Sequence, residues 1–476
     1  MNWDEFSKWG ARISGWAKNY HSNIRELPVR SQVKPGEVFN ALPANPPESG
    51  TGMEEIFADF ERIVMPGITH WQHPRFFAYF PANATPPSML ADFLSSTIAA
   101  NCLLWQASPA GTELETRMMH WLRQSLGLAD HFEGVIQDSA SSATLAAVLT
   151  MRERALNWAG NAQGLAGQKT LRVYCSAEVH TSVDRAIWVA GIGGDNLVRV
   201  PISGPLRGMD CDALRQLIAD DLAKGYLPIG IIACVGGTGA GATDAIDKVC
   251  DIAQEYGVFT HIDAAWAGSA MICPEFREFW PGIDRADSIV FNPHKWLGVQ
   301  FDCSAHFIRD PDDLVRTLAI RPEYLKTEGQ DQIINYSEWS VPLGRRFRSL
   351  KIWFVLRSYG LEGLREMIRN HVKWTAEISA KLADTKDFEI ITQPFLSLFT
   401  FRFVPKNAKN TDALNQQLLD RINDDGRIYL TKTRVDGKLV IRFTAGQFDT
   451  TQTDVDMAYD VITEIAAGLI VDFTSQ

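Results

Sequence analysis

The sequence carries no surplus of positive charge. Its 46 Lys and Arg stand against 57 Asp and Glu, a net of −11, and no basic stripe is offered to a nucleic-acid backbone, so a nucleic-acid partner is not expected. There is no run of about 18 or more apolar residues, so a membrane span is not expected either. Cysteine is sparse: seven in 476 residues. They are scattered, odd in number and never spaced Cys-x-x-Cys, which speaks against a disulfide framework and against a structural metal site; no metal is expected. The first stretch, "MNWDEFSKWGARISGW", lacks a basic start followed by an apolar block, so no export signal is expected. Unpaired thiols and no export signal point to the cytoplasm. Internal repeats and low-complexity tracts are also missing. What remains is ordinary globular composition, 46% hydrophobic and 22% charged, long enough for a sizeable core and more than one domain.

Trp3, Phe6, Trp9, Ile13 and Trp16 recur at helical spacing. The helix they predict lies either on its own core or against a partner subunit. Residues 1–86 read as helices and extended linkers. Short β-type runs then alternate with helical patterns: "FEGVIQ" before "ATLAAVLTMRERAL", "LRVYCS" before "SVDRAIWVAG", "IGIIACV" before "AIDKVCDIAQEYG", then "VFTHIDA", "ADSIVFN" and "DCSAHFIRD". Such alternation implies an α/β fold with a mostly parallel sheet covered by helices. A large domain over 87–365 and a small C-terminal α+β domain over 366–476 complete the expected division.

Two chemistries compete for the middle of the chain. "GTGAGA", Gly237 to Ala242, follows a strand and fits G-x-G-x-x-G/A, with Asp263 about twenty residues on, the outline of a dinucleotide site. Against it, the next helix is expected to start at the capping pair Thr243–Asp244, outside the glycines, whereas a dinucleotide fingerprint needs its third small residue inside the helix. The competing reading starts from Asp263 and Lys295, at the ends of successive strands, where ligands of open α/β sheets bind. Pyridoxal phosphate needs a lysine to hold it, a carboxylate beside its pyridine nitrogen, an anion site and a group packed on its ring. A buried lysine alone is more often an ion-pair partner. But "IQDSASSATLAAVL" runs from a strand through Ser139, Ser141 and Ser142 into a helix, an anion site by its amides and hydroxyls, although any single such site is more often a plain serine cap. His180 ends a strand ahead of a helix, where a histidine is commonly a cap or core residue.

These pieces, in this order, resemble the group II pyridoxal-phosphate-dependent decarboxylases, the aromatic-L-amino-acid decarboxylase branch in particular. The likeness covers nearly the whole chain: "HWQHPRFFAYFPANAT", "ASPAGTELE", "SASSAT", "VHTSVDRA", "HIDAAWAGSAMICPEFR", "FNPHKWL", "FDCSA" and "PLGRRFRSLKIWFVLR". The resemblance implies the fold type I, aspartate-aminotransferase-like architecture of pyridoxal-phosphate-dependent transferases. It implies Lys295 as the Schiff-base lysine, Asp263 as the pyridinium partner, Ala265 beneath the ring and His180 stacked on it. Ser139, Ala140, Ser141 and Asn292 would cradle the phosphate, with His294 beside the lysine and Thr238 near the cofactor. Tyr324, in "RPEYLKTEGQDQ", matches the tyrosine of a mobile covering loop and would give the proton that quenches the carbanion, directly or relayed through His180 or water. Trp71, Tyr79, Phe80, Pro81, Leu103 and Gly344 match substrate-pocket positions. Some of these are lent across subunits in the family, which implies an obligate homodimer with shared active sites.

The implied reaction converts an aromatic L-amino acid (Trp, DOPA, Tyr or Phe type) to its amine and carbon dioxide. Three departures bear on substrate choice. Trp266 stands where aromatic-substrate relatives commonly have Tyr, the loop "GGTGAGATD" is glycine-rich where many carry threonines, and Leu103 replaces an aromatic. The rivals are an aldehyde synthase on the same scaffold, where the loop tyrosine is replaced; an acidic amino-acid decarboxylase; a non-catalytic binding protein; and a nicotinamide-dependent oxidoreductase.

Overall fold

The structure, a computed structural model, describes residues 1–320, 333–406 and 408–474. The chain divides into two compact units. One comprises Ala82–Lys373 with Pro394–Phe399; the other comprises Met1–Pro81, Trp374–Gln393 and Thr400–Gln476.

The larger unit is built on a seven-stranded sheet. Its first strands are β1 (Glu133–Gln137), β2 (Leu171–Ser176) and β3 (Leu197–Val200). A small antiparallel hairpin, β4 (Ile202–Ser203) and β5 (Gly208–Met209), follows. The sheet resumes with β6 (Leu227–Cys234), β7 (Phe259–Asp263), β8 (Ser288–Phe291) and β9 (Ser304–Ile308). The strand order is β1-β9-β8-β7-β6-β2-β3. β9 is antiparallel to β1 and β8; the other neighbours are parallel. The strands are near-continuous apolar runs because helices cover both faces. Ile231, Ile232 and Ala233 of β6, Ile262 of β7 and Val290 of β8 are fully buried, each large aliphatic contributing about 1.5–3 kcal/mol. Ala143, Ala146 and Ala147 give the helix Ala140–Ala155 a small-residue face that is also fully buried. Parallel pairing brings the C-terminal ends of β2, β6, β7 and β8 to one edge, Asp263 lying opposite Cys234 in register.

In the other unit the helix Trp3–Asn23 forms as its periodicity predicts, opened by a reciprocal capping box between Asn2 and Glu5. Trp9 packs on Phe57 and Trp16 on Phe60, while Trp3 stays 80% exposed. A four-stranded sheet takes β10 (Phe388–Phe395), β11 (Leu398–Phe403), β12 (Thr431–Val435) and β13 (Lys438–Thr444), in the order β10-β11-β13-β12. β12 and β13 are joined by Asp436-Gly437, both at positive φ (49° and 77°), the Asp-Gly signature of a tight hairpin. The buried Asp454 accepts from Arg25 and Arg75, fastening the N-terminal segment to the helix Gln452–Thr474. In the larger unit the helical run that begins at Ser349 is broken at Gly360, whose φ is +63°. Among the described residues, no helix is long and apolar enough to cross a membrane.

Candidate active site

A cavity of about 160 Å³ opens at that C-terminal edge of the larger unit's sheet. On one side the chain leaves β1 through Asp138 and Ser139 and enters the helix Ala140–Ala155. Ser139 caps it: its Oγ accepts from the Ser142 N–H at 3.2 Å and donates to Asp138 Oδ1 at 3.0 Å. Ala140 and Ser141 open the first turn, where backbone N–H groups have no carbonyl one turn earlier to bond. All three line the cavity.

Across from them, β7 ends in Asp263, which is buried and holds the Ala265 N–H on Oδ1 at 3.1 Å. β8 is followed by Asn292, whose N–H donates to Ala265 O at 2.8 Å and whose Oδ1 accepts from Ser304 Oγ. Lys295 turns back onto this corner, its N–H on Asn292 O at 2.9 Å. Burial lowers the Lys295 amine below the ordinary lysine value, and the Asp263 carboxylate opposes part of that. His180 lines the same space. Its Nδ1 accepts from the Ser182 N–H at 3.1 Å, which leaves the ring proton on Nε2. Burial holds its pKa down, Asp263 pulling it up and Lys295 down. The corner therefore holds a carboxylate, a weakly basic amine and an imidazole biased to its neutral form.

The glycine-rich segment forms a closed loop. Gly237 N–H donates to Ala242 O at 2.7 Å and Gly241 N–H to Gly237 O at 2.8 Å, while Val235 bridges Thr243. The next helix begins at Ile246, with Ala245 before it and no side-chain cap. The expected cap at Thr243–Asp244 is thus absent. Asp244 is instead buried, accepting from Cys234 N–H at 2.7 Å and Met209 N–H at 2.6 Å. With every glycine of the motif ahead of the helix, the dinucleotide geometry is not formed. Thr238 lines the cavity.

Of the residues singled out for the cofactor, Ser139, Ala140, Ser141, His180, Thr238, Asp263, Ala265, Asn292 and Lys295 come together here. His294 does not line the cavity. It is buried, its Nδ1 accepts from the Cys303 N–H at 3.0 Å, and its ring packs 4.8 Å from that of Phe301; burial pushes its pKa down to about 3. Leu103 and Gly344 lie on adjoining segments of the same unit: Cys102 N–H donates to Arg345 O, and Arg345 N–H to Asn101 Oδ1. In the other unit Trp71 and Tyr79 stack, ring centroids 5.8 Å apart, while Phe80 and Pro81 are buried. Tyr324 lies outside the described residues. Reasoning from sequence missed Ser182, Cys234, Gly236 and Trp266 as lining residues. Cys234 and Ser182 had a readable signal, standing at a strand end and two residues beyond His180.

The Pyridoxal-dependent decarboxylase conserved domain matches residues 35–404. The chain is 40% identical over 484 residues to the mouse (Mus musculus) aromatic-L-amino-acid decarboxylase, covering 99% of each. It is 35% identical to the phenylacetaldehyde synthase of Arabidopsis thaliana, covering 99% of this chain and 97% of that protein. The crystal structure of Oryza sativa TDC with PLP and tryptamine superposes with a TM-score of 0.95 at 32% identity, over 98% of this chain and 99% of that one. The chain belongs to the pyridoxal-dependent decarboxylase family and is a pyridoxal-phosphate-dependent decarboxylase.

Proposed function

We propose that the protein converts an aromatic L-amino acid to the corresponding amine and carbon dioxide, in the cavity between Ser139 and Lys295. The observation that carries this is the gathering of an anion cradle, a buried carboxylate, an imidazole and a weakly basic lysine around one space. That donor set fits pyridoxal phosphate. The first turn of the helix Ala140–Ala155, with Ser139, Ser141 and Asn292, suits the phosphate. Asp263 would keep a proton on the pyridine nitrogen, Ala265 leaves room beneath the ring and His180 would lie on it. When bound, the cofactor supplies a sink for the electron pair left when a bond to the substrate's α-carbon breaks.

The chain's own residues do the rest. Burial lowers the pKa of the Lys295 amine, which favours its unprotonated, nucleophilic form, so it can hold the cofactor covalently. Tyr324 is assigned the delivery of a proton to the α-carbon. The aromatic substrate is supported by the likeness to the mouse decarboxylase and to a rice structure containing tryptamine. Trp71, Tyr79, Phe80, Pro81, Leu103 and Gly344 are assigned to the substrate pocket.

We assign the assembly as a homodimer with shared active sites. Its support is the apolar surface each unit exposes: Trp3 and Ile13 on the first helix, and Leu90, Phe93, Leu94 and Ile98 on the helix Pro86–Ile98. All seven cysteines are unpaired, in keeping with a reducing compartment, the cytoplasm.

Aldehyde formation, the activity that the Arabidopsis relative's name carries, is the competing outcome. Tyr324 favours the amine. The test is a panel of Trp, Tyr, Phe, DOPA, His and Glu, with amine, carbon dioxide and oxygen uptake measured together. Amine and carbon dioxide in equal amounts from aromatic substrates, without oxygen uptake, is the expected result. Comparable kcat/KM for glutamate, or aldehyde and peroxide as main products, would overturn the reading.

A further inference from the structure

Two departures from the family pattern, Trp266 and the glycine-rich loop, meet in the structure. The Trp266 ring is buried, and its Nε1–H donates to the carbonyl of Gly236. A Cβ on Gly236 would lie 2.8 Å from Cζ2 and 2.9 Å from Cε2 of that ring, and 2.7 Å from Ala267 Cβ. Gly236 also sits at φ +76°, where side chains are disfavoured. The indole cannot move aside freely: Trp296 packs 5.6 Å from it and Phe395 6.1 Å. A phenyl ring at 266 would lack the fused edge that, together with Ala267 Cβ, excludes a side chain at 236. Bulk at one position and its absence at the other are therefore two halves of one fit.

That fit reaches the cavity. Gly236, Gly237, Thr238 and Trp266 all line it. Gly237 has no slack, since a Cβ there would come within 3.0 Å of the Glu178 carbonyl oxygen. We infer that Trp266 is a positioning residue for the cofactor: through Gly236 it pins the Gly236–Thr238 wall, and the two residues form a matched pair that sets how tightly pyridoxal phosphate is held. The inference rests on this cavity being the cofactor site.

The experiment titrates apo-protein with pyridoxal phosphate, reading fluorescence quenching and the borohydride-sensitive absorbance, for the parent, Trp266→Phe, Gly236→Ala and the double variant. Removing the indole N–H leaves a buried carbonyl without that donor, so Trp266→Phe raises Kd about five- to tenfold. Gly236→Ala raises it at least about tenfold. In the Phe background the indole's share of that cost is removed while the Ala267 contact and the positive φ remain, so the same Ala change costs about threefold less. The clash also acts in the apo-fold, so each Kd is read on protein that far-UV circular dichroism shows to be folded at the titration temperature. Trp266→Leu, which likewise lacks the N–H and the fused edge, takes its place should the Phe variant not fold. A Trp266→Phe Kd within about twofold of the parent, or single-variant factors that simply multiply, overturns the inference. Peptide mapping after borohydride separates the two failures. A pyridoxyl group away from Lys295 in the parent sinks the site assignment, whereas a correctly labelled parent with unaltered variants sinks only the pinning by Trp266.

Discussion

Replacing Arg345 by Met removes half of a buried ion pair. Arg345 and Glu115 are 2% and 1% exposed at their side chains. Arg345 Nη2 lies 2.6 Å from Glu115 Oε1 and 2.7 Å from the Ile136 carbonyl, and Ile136 N–H returns to Glu115 Oε1 at 2.9 Å. Among the described residues, Glu115 Oε2 and Arg345 Nη1 have no hydrogen-bond partner. The Met variant would leave a buried carboxylate facing no cation, at a cost of about 3–5 kcal/mol. A whole protein of ordinary stability has about 5–15 kcal/mol. Glu115→Gln should cost a similar amount by stranding the guanidinium. Together the two changes strand no charge. The amide oxygen can still accept from Ile136, and only that residue's carbonyl loses a donor, so the double variant should cost about 1–2 kcal/mol. Urea unfolding followed by far-UV circular dichroism measures all four proteins. If Arg345→Met costs less than about 1 kcal/mol, or the double variant equals the sum of the singles, the pair is not what holds this corner. The corner matters because Ile136 leads through Gln137 and Asp138 to Ser139, so a slackened β1 end should also weaken cofactor binding.

Lys295→Ala should abolish turnover, and borohydride should then fix no pyridoxyl group to the protein; a covalently labelled variant would point to another lysine. Asp263→Asn should fold yet lose at least about a hundredfold in kcat, the scale of a lost electrostatic contact in a buried site; a parent-like kcat excludes Asp263 from the chemistry. Asp244 gives a pH test. Burial raises its carboxyl to about 6, against two backbone N–H donors that pull the other way. Folding thus favours the protonated form, and the stabilisation is full below the unfolded value of about 4 and lost as pH rises through about 6, on the order of 3 kcal/mol in all. The unfolding free energy of the parent minus that of Asp244→Asn should fall between pH 4 and pH 7, and a flat or rising difference would show that Asp244 does not titrate there.

The sheet was legible because its strands are buried on both faces. "IGIIACV" and "ADSIVFN" need no alternation to be read as strands when helical patterns flank them. Asp263 and Lys295 were legible as a pair because ligands of such sheets bind at strand ends. What failed had tertiary causes. Thr243–Asp244 has the composition of a helix cap, but the Asp244 carboxylate is taken by Cys234 of β6 and Met209 of β5, partners that local sequence does not announce. His294 is next to Lys295 in the chain, but both sit in a turn closed by the Lys295 N–H on Asn292 O, where adjacency in sequence does not put two side chains on the same side. Cys303, on the approach to β9, supplies the N–H that holds His294 away from the cavity. The contact between Trp266 and Gly236 is made across the glycine-rich loop, the helix Ile246–Tyr256 and β7, and no periodicity encodes it.

Leu103 and Gly344 show how far such pairing reaches. They are distant in the chain but adjoin through the bonds between Asn101–Cys102 and Arg345. Gly344 therefore sits one residue from the guanidinium that holds Glu115. Its own environment is open: a Cβ built there meets only Asn101 Nδ2, at 3.9 Å, and its φ is not positive. Packing within the unit does not demand glycine, so space for a ligand is the reason left for it on the proposed reading. Gly344→Ser should then leave the urea midpoint unchanged while lowering kcat/KM for the largest ring, the indole, by about tenfold relative to phenylalanine, the discrimination that a small volume change in an apolar pocket provides. An equal loss on every substrate with a lowered midpoint would mean that the glycine serves the fold through Arg345. Unchanged ratios at an unchanged midpoint would remove Gly344 from the substrate pocket.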